Sequence, residues 1–104
     1  MFKLHLNRII LIGQVTEKPQ LRYVPSGSPI CSFSIEVLRE KPSSTGTAEE
    51  FDVFPVIAWN DQALYCSQSI EKGSWAYCEG SLQIRTFGEV GAQKKTTVEV
   101  ILKD

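Results

Sequence analysis

The sequence has few histidines and cysteines, and this scarcity excludes most metal sites and most active sites. His5 is the only histidine, and the cysteines Cys31, Cys66 and Cys78 form no CxxC pair. A zinc site needs three or four nitrogen or sulfur ligands at short, paired spacings. His5 has no evident acid or nucleophile partner, and no glycine-rich phosphate loop is present. The sequence therefore predicts no metal, no cofactor and no enzyme activity, and we expect the cysteines to be buried, reduced thiols.

Long apolar runs and an excess of basic charge are also lacking. No run approaches the roughly 18 residues of a membrane helix, and the short N-terminal run, split by Asn7 and Arg8, precedes no small-residue cleavage site. We therefore expect a cytoplasmic or organellar location and, at 104 residues, a single domain over 1–104. The net charge of −1 counts against a nucleic-acid partner unless the basic residues gather on one face.

What the sequence does contain is a series of β-rich segments. Four or five strands are predicted, over residues 7–15 with a continuation broken at Pro19, then 29–38, 51–59, 71–87 and 96–103. A short helix over 62–71, capped by Asn60 or Asp61 and stopped by Gly73, separates the third and fourth strands. Residues 39–50 and 88–95 are predicted loops. This order predicts an all-β barrel that the helix plugs at one end.

The alternation within residues 71–87 places large rings among polar side chains. Trp75, Tyr77, Arg85 and Phe87 share one face of the predicted strand, whereas Ala76, Cys78, Gly80, Leu82 and Ile84 share the other and are expected to line the barrel. On 51–59, Phe51 and Trp59 face solvent if the alternate residues fill the core. Outward rings on a rigid sheet are typical of a platform on which bases stack. The alternatives are that Trp75 covers the barrel rim, Tyr77 lies in a subunit interface and Trp59 caps the helix packing.

Three motifs carry a resemblance to a known family. "NRIILIGQV" followed by "PQLRYVPSGSPICSFSIEV" resembles the opening of bacterial single-stranded DNA-binding proteins. "EKGSWAYCEGSLQIRTF" is similar to that family's K-G-x-x-x-Y-x-E-G-x-L-x-x-R-x-W segment, with Phe87 at the usual Trp position. The resemblance implies a five-stranded oligonucleotide-binding (OB) barrel. It also implies base stacking on Trp59, and it places Phe51 close to a second ring position of the family.

Within this family the details resemble the dimeric relative primosomal replication protein N. The shared features are the short chain, the P-V-I of "FPVIAW" and the "QAL" that opens the helix. The sequence ends at "VEVILKD" without a glycine-rich linker or an acidic tip. From this resemblance we expect a homodimer that binds single-stranded DNA, or RNA, in replication restart, with replication or primosome proteins as further partners. General coating of single strands is the alternative role.

Phosphate contacts are expected from basic residues near the rings and in the two loops that flank the ligand channel of this family. The candidates are Arg8, Arg22, Arg39, Lys41, Arg85, Lys94 and Lys95. A ring that the family usually has after its second strand is missing from "VLREKPSS", where Arg39 is expected to substitute. Nearby acidic residues predict weak, salt-dependent binding. For Lys94 and Lys95 the alternative is a solvated hairpin tip. For the whole protein, the alternative function is an OB-fold module that docks a replication protein through the aromatic face.

Overall fold

A computed structural model describes residues 4–40, 49–87 and 95–103. For residues 86–87 and 95–97 it describes the backbone alone. The elements in chain order are β1 (Ile9–Val15), β2 (Gln20–Tyr23), β3 (Pro29–Arg39), β4 (Glu50–Trp59), α1 (Asp61–Ser69), β5 (Trp75–Phe87) and β6 (Lys95–Leu102). Of the predicted loops 39–50 and 88–95, residues 41–48 and 88–94 lie outside the described residues, whereas Arg39, Glu50 and Lys95 belong to strands.

β1 and β2 form one interrupted strand that runs antiparallel to β3. Gln14 lies opposite Glu36, and Gln20 lies opposite Ser32. Gln14 and Gln20 are six residues apart along β1 and β2, whereas their partners on β3 are four residues apart. The break before β2 therefore inserts two extra residues. This interruption includes Pro19, which has no N–H to donate to a ladder. The predicted break at Pro19 is confirmed. Because β1 and β2 count as one interrupted strand, the six described strands form a five-stranded barrel.

Strand pairing closes this barrel. The sheet order is β1-β5-β6-β4-β3-β2, and β1 also pairs with β3. β4 and β6 pair in parallel, with Val56 opposite Val100, while the other pairs are antiparallel. The predicted all-β barrel with one helix between its third and fourth strands is confirmed.

Alternate strand residues and one helix face fill the core. Its buried members are Val15, Cys31, Phe33, Ile35, Val56, Ala58, Ala63, Cys66, Cys78 and Val100. All three cysteines are buried and free, as predicted. Small thiols pack here as apolar side chains, in the way that cysteine commonly does in protein interiors.

The helix closes one end of the barrel, where it packs against β3 and β4. It begins one residue earlier and ends two residues earlier than predicted, and Asn60 precedes it with a φ of 58° and no side-chain capping bond. Gly73 does not end the helix. It has a φ of 88° in the turn before β5, a conformation that favours glycine. Among the described residues, no helix is long and apolar enough to cross a membrane.

The prediction for the barrel lining was wrong for one half of β5. Leu82 and Ile84 were expected inside the barrel, but both are exposed. β5 pairs with β1 only up to Gly80, and from there to its end it pairs with β6 alone. The two strands therefore form an arm beyond the barrel, and Ile84 and Val98, which lie opposite each other on it, are both exposed among the described residues.

Candidate nucleic-acid interface

The outer face of β3 and β4 is a short, largely uncharged surface. Ser32 lies opposite Ile57 and Ser34 lies opposite Pro55 in the antiparallel register. Because side chains alternate between the two faces of a strand, these residues point away from the core that Phe33 and Val56 fill. Ser32, Ser34 and Pro55 are partly exposed on this face, whereas Ile57 is buried.

An aromatic side chain lies near each end of this face. Phe51 is 51% exposed and Trp59 is 40% exposed. They are eight residues apart on β4, which at about 3.3 Å per residue separates them by about 26 Å. The structure thus places both ring candidates of β4 on one face, as the alternation predicted, with several aliphatic and hydroxyl side chains between them.

A cavity of about 540 Å³ on the same side of the barrel brings two of the predicted arginines together. Arg22 from β2 and Arg85 from β5 both line it, along with Lys18, Ser32, Ser34 and Ile57. Arg85 lies 3.7 Å from Glu99, which lies across the β5–β6 arm. We call this cavity, with the face between Phe51 and Trp59, the β3–β4 groove.

Trp75 and Tyr77 lie on another side of the barrel. Trp75 is opposite Gln14 and Tyr77 is opposite Ile12, so both rings stand on the outer face of β1 and the first half of β5. Arg85 belongs to the second half of β5, beside β6. The face that the sequence predicted as one platform is therefore divided, because β5 changes neighbours at Gly80.

The comparisons with known proteins agree with this barrel. The model of the single-strand binding protein family matches residues 6–104. The chain belongs to this family. A Plasmodium falciparum SSB solved in complex with ssDNA superposes with a TM-score of 0.86 at 24% identity, over 98% of this chain and 90% of that one. That likeness confirms the predicted OB barrel.

Two bacterial relatives extend the comparison. Single-stranded DNA-binding protein A of Bacillus subtilis is 34% identical over 91% of this chain and 55% of its own length. The single-stranded DNA-binding protein of Caldanaerobacter subterraneus subsp. tengcongensis is 31% identical over 95% of this chain and 65% of its own. The chain thus spans about half to two thirds of the length of these relatives.

In this family member Arg39 lies away from the β3–β4 groove. It is opposite Glu50 in the register and one position from Leu38, which stands opposite Phe51. Arg39 therefore points to the other face of these two strands. Its Nε donates to Asp52 at 3.1 Å, and a terminal nitrogen lies 3.6 Å from Glu50. The hydrogen bond from Arg39 lowers the pKa of Asp52 and raises the pKa of Arg39 itself.

Arg8 also lies outside the groove. It precedes β1 and forms an ion pair with Glu79 on β5. The neighbouring Asn7 holds the same edge, because its side chain donates to the Leu82 carbonyl at 2.7 Å and accepts the Leu82 N–H at 2.8 Å. The side chains of Asn7 and Arg8 thus fasten this part of the chain to β5.

For the other predicted residues, the structure describes the backbone alone or nothing. Lys41 and Lys94 lie outside the described residues. Phe87 and Lys95 lie opposite each other at the end of the β5–β6 arm, as backbone positions only. Sequence reasoning did not identify Lys18, Ser32, Ser34 and Ile57 as groove residues. The alternation of inward and outward residues along 29–38 and 51–59 could have indicated the last three.

Proposed function

We propose that this family member binds single-stranded DNA, without catalysis, in the β3–β4 groove. The observation that carries the proposal is the pair of exposed rings, Phe51 and Trp59, on the face beside Arg22 and Arg85. Bases stack on aromatic rings and cations neutralise phosphates, and both interactions tolerate any sequence. The names of the bacterial relatives support DNA as the ligand.

Stacking alone supplies only part of the binding energy. Two bases at about 2 kcal/mol each give about 4 kcal/mol, which corresponds to a millimolar dissociation constant. Arg22, Arg85 and Lys18 line the cavity between the two strands and the arm. Their contacts to phosphates are expected to bring the dissociation constant into the micromolar range at low salt.

Titration with oligo-dT, followed by tryptophan fluorescence, tests this proposal. At about 20 mM salt we expect quenching of emission, since a stacked base contacts Trp59. Trp59→Leu is expected to remove most of the quenching and to weaken binding about tenfold or more, because one stacked base is worth about 1–3 kcal/mol. Trp75→Leu is the matched control, because Trp75 lies on the β1–β5 face.

The outcomes of this titration separate the two candidate functions. If micromolar wild-type protein shows no quenching and no binding at low salt, the DNA proposal is wrong. The alternative, an OB-fold module that docks a replication protein, is favoured by the net charge of −1, which gives little general attraction to phosphates. If Trp75→Leu rather than Trp59→Leu abolishes binding, the DNA site lies on the β1–β5 face instead of in the groove.

We further propose that the protein is a homodimer, held through β1. Within the described part of the chain, residues 9–12 pair with β5 on one edge and have no strand on the other. Ile10 and Ile12 are exposed beside this edge. An unpaired edge with apolar neighbours favours strand addition by a second copy. A monomer in light scattering at micromolar concentration would contradict the proposal.

The biological setting that we propose is replication restart in the cytoplasm. The support is the resemblance of "FPVIAW" and "QAL" to primosomal replication protein N. The protein is then expected to stimulate a purified restart helicase on a forked substrate. Equal stimulation by an unrelated single-strand binder would favour general strand coating.

A further inference from the structure

A second concave surface lies between α1 and the start of β5. This cleft has a volume of about 650 Å³ and is open to solvent between the helix and the strand. Four aromatic side chains line it: Phe33 is buried, whereas Tyr65 is 66% exposed, Trp75 74% and Tyr77 58%. Cys66 and Cys78 also line it, and both are nearly fully buried. The exposed rings therefore form a rim around an apolar interior.

The charge of this cleft is opposite to that of a phosphate site. No lysine or arginine is among its lining residues, all of which belong to the described part of the chain. Asp61, the first residue of α1, is the one lining side chain that carries a full charge at neutral pH. The partial positive charge of the helix N-terminus offsets part of this carboxylate. The exposed rings add a further attraction for a cation.

The cleft is also separate from the β3–β4 groove. The two cavities share one lining residue, Phe33, which is buried in the core. The ring-bearing end of β5 pairs with β1, whereas the groove lies beside the later part of β5. Occupation of one site therefore leaves the rings and cations of the other exposed.

We propose that the cleft binds a partner protein through an arginine or lysine side chain that follows an apolar residue. A cation over an aromatic face is attracted by the ring quadrupole. The aliphatic stem of arginine or lysine and its apolar neighbour would cover the apolar interior. Asp61 would accept a charge-assisted hydrogen bond at the cleft edge. A phosphate backbone would meet this carboxylate without any cation to neutralise it, so a basic peptide is favoured over nucleic acid.

A pair of short peptides tests the proposal on the full chain. The probe is N-acetyl-leucyl-arginine amide, and its control replaces arginine with citrulline, which keeps the shape but removes the charge. Titration followed by amide chemical shifts is expected to move the signals of Tyr65, Cys66 and Ala76, with a dissociation constant of about 1 mM. The citrulline peptide is expected to bind about fivefold more weakly.

Matched variants identify the residues responsible. Tyr65→Leu is expected to weaken the arginine peptide about fivefold, and its control is Tyr23→Leu, since Tyr23 is 62% exposed but lies on β2 away from the cleft. Asp61→Asn is expected to weaken it about twofold to threefold, and its control is Glu71→Gln, an exposed acid outside the lining. All four variants should bind oligo-dT as the wild type does.

Three results would overturn the proposal. One is the absence of cleft shifts at about 10 mM peptide, well above the expected dissociation constant. Another is equal binding of the arginine and citrulline peptides. The third is movement of the cleft signals by oligo-dT instead of by the peptide, which would assign the cleft to nucleic acid. Loss of DNA binding by wild-type protein leaves this test intact, because the peptide readout does not depend on it.

Discussion

Cys66 shows how the core sets the chemistry of a single residue. It lies on α1, almost entirely buried, and faces the strand cysteines Cys31 and Cys78 within one core cluster. Burial, and then the proximity of Cys31 and Cys78, raises the pKa of the Cys66 thiol from 9.0 to about 11. A thiol with a raised pKa stays protonated at neutral pH, so it is a poor nucleophile and a poor metal ligand.

The raised pKa predicts a loss of stability in alkali. The folded state holds the Cys66 proton more tightly than the unfolded chain does, so the contribution to stability is complete below pH 9 and is lost as the pH rises towards 11. From the two pKa values, wild-type protein should lose about 2 kcal/mol of unfolding free energy between about pH 8 and pH 10.5 through this thiol. Urea unfolding at the two pH values measures the loss.

Cys66→Ala is the control for this measurement. The variant is less stable at every pH because it loses packing, but its additional loss in alkali should be about 2 kcal/mol smaller than that of the wild type. Identical pH dependence in the two proteins would show that Cys66 titrates as it does in the unfolded chain.

The burial of single residues was predictable from the alternation of inward and outward side chains along each strand, whereas their ion pairs were not. Alternation in 29–38 and 71–87 indicated that Cys31 and Cys78 point inward, and both do. The predicted phosphate contact of Arg39 rested on its position beside a loop. Its partners Asp52 and Glu50 are on β4, and only the register of β3 against β4 brings the charges together. A sequence does not state that register.

At the scale of the elements, β5 is the strand that connects the barrel to the arm. Gly80 lies opposite Ile9 on one side and Leu102 on the other, so it is the position at which β5 leaves β1 and continues with β6. A Cβ built on Gly80 would collide with the carbonyl oxygen of Ile101. The close approach of the β6 backbone therefore requires glycine here.

Gly80→Ala is expected to destabilise the protein by about 1–3 kcal/mol, because the added methyl group forces the backbone of β5 or β6 to shift. Urea unfolding measures the change, and Ser81→Ala serves as the control because Ser81 is the next residue of the same strand pair. An unchanged midpoint for Gly80→Ala would mean that the two strands are more loosely packed than the structure shows.

The bounds of the strands were largely predictable from the sequence, but the pairing of one strand with another was not. The "PSGS" of residues 25–28 is typical of a turn, and the structure has one there, where Val24 N–H donates to Ser28 O at 3.0 Å and Gly27 has a φ of 92°. The β-rich runs gave all the barrel strands to within two residues, apart from the start of the fourth, which was placed four residues early. The period-two pattern of 71–87 continues unbroken past Gly80, so nothing in it marks where the barrel ends. Leu82 and Ile84 were assigned to the interior for that reason.

At the scale of the whole molecule, a protein of net charge −1 has to bind phosphates with a few cations. Arg8, Arg39 and Arg85 are each ion-paired with a carboxylate. Arg22 is the one arginine for which the described residues show no such pair. Carboxylates beside cations reduce the potential at the surface, and an exposed pair is worth little and is screened by salt. The groove therefore offers a small number of phosphate contacts.

This charge distribution predicts a shallow salt dependence of DNA binding. Each neutralised phosphate of a single strand contributes about −0.7 to the slope of log K against log salt. With Arg22, Arg85 and Lys18 in the groove, two to four contacts give a slope of about −1.4 to −2.8. Oligo-dT titrations between about 20 and 200 mM salt measure it.

Two matched substitutions localise these contacts. Arg22→Gln should make the slope shallower by about 0.7, since it removes one phosphate contact. Arg8→Gln removes the same charge from the β1–β5 side, where Arg8 pairs with Glu79, and should leave the slope unchanged. A wild-type slope as steep as about −6 would require many more phosphate contacts than the groove provides. Equal effects of the two substitutions would mean that the DNA path includes the β1–β5 face as well as the groove.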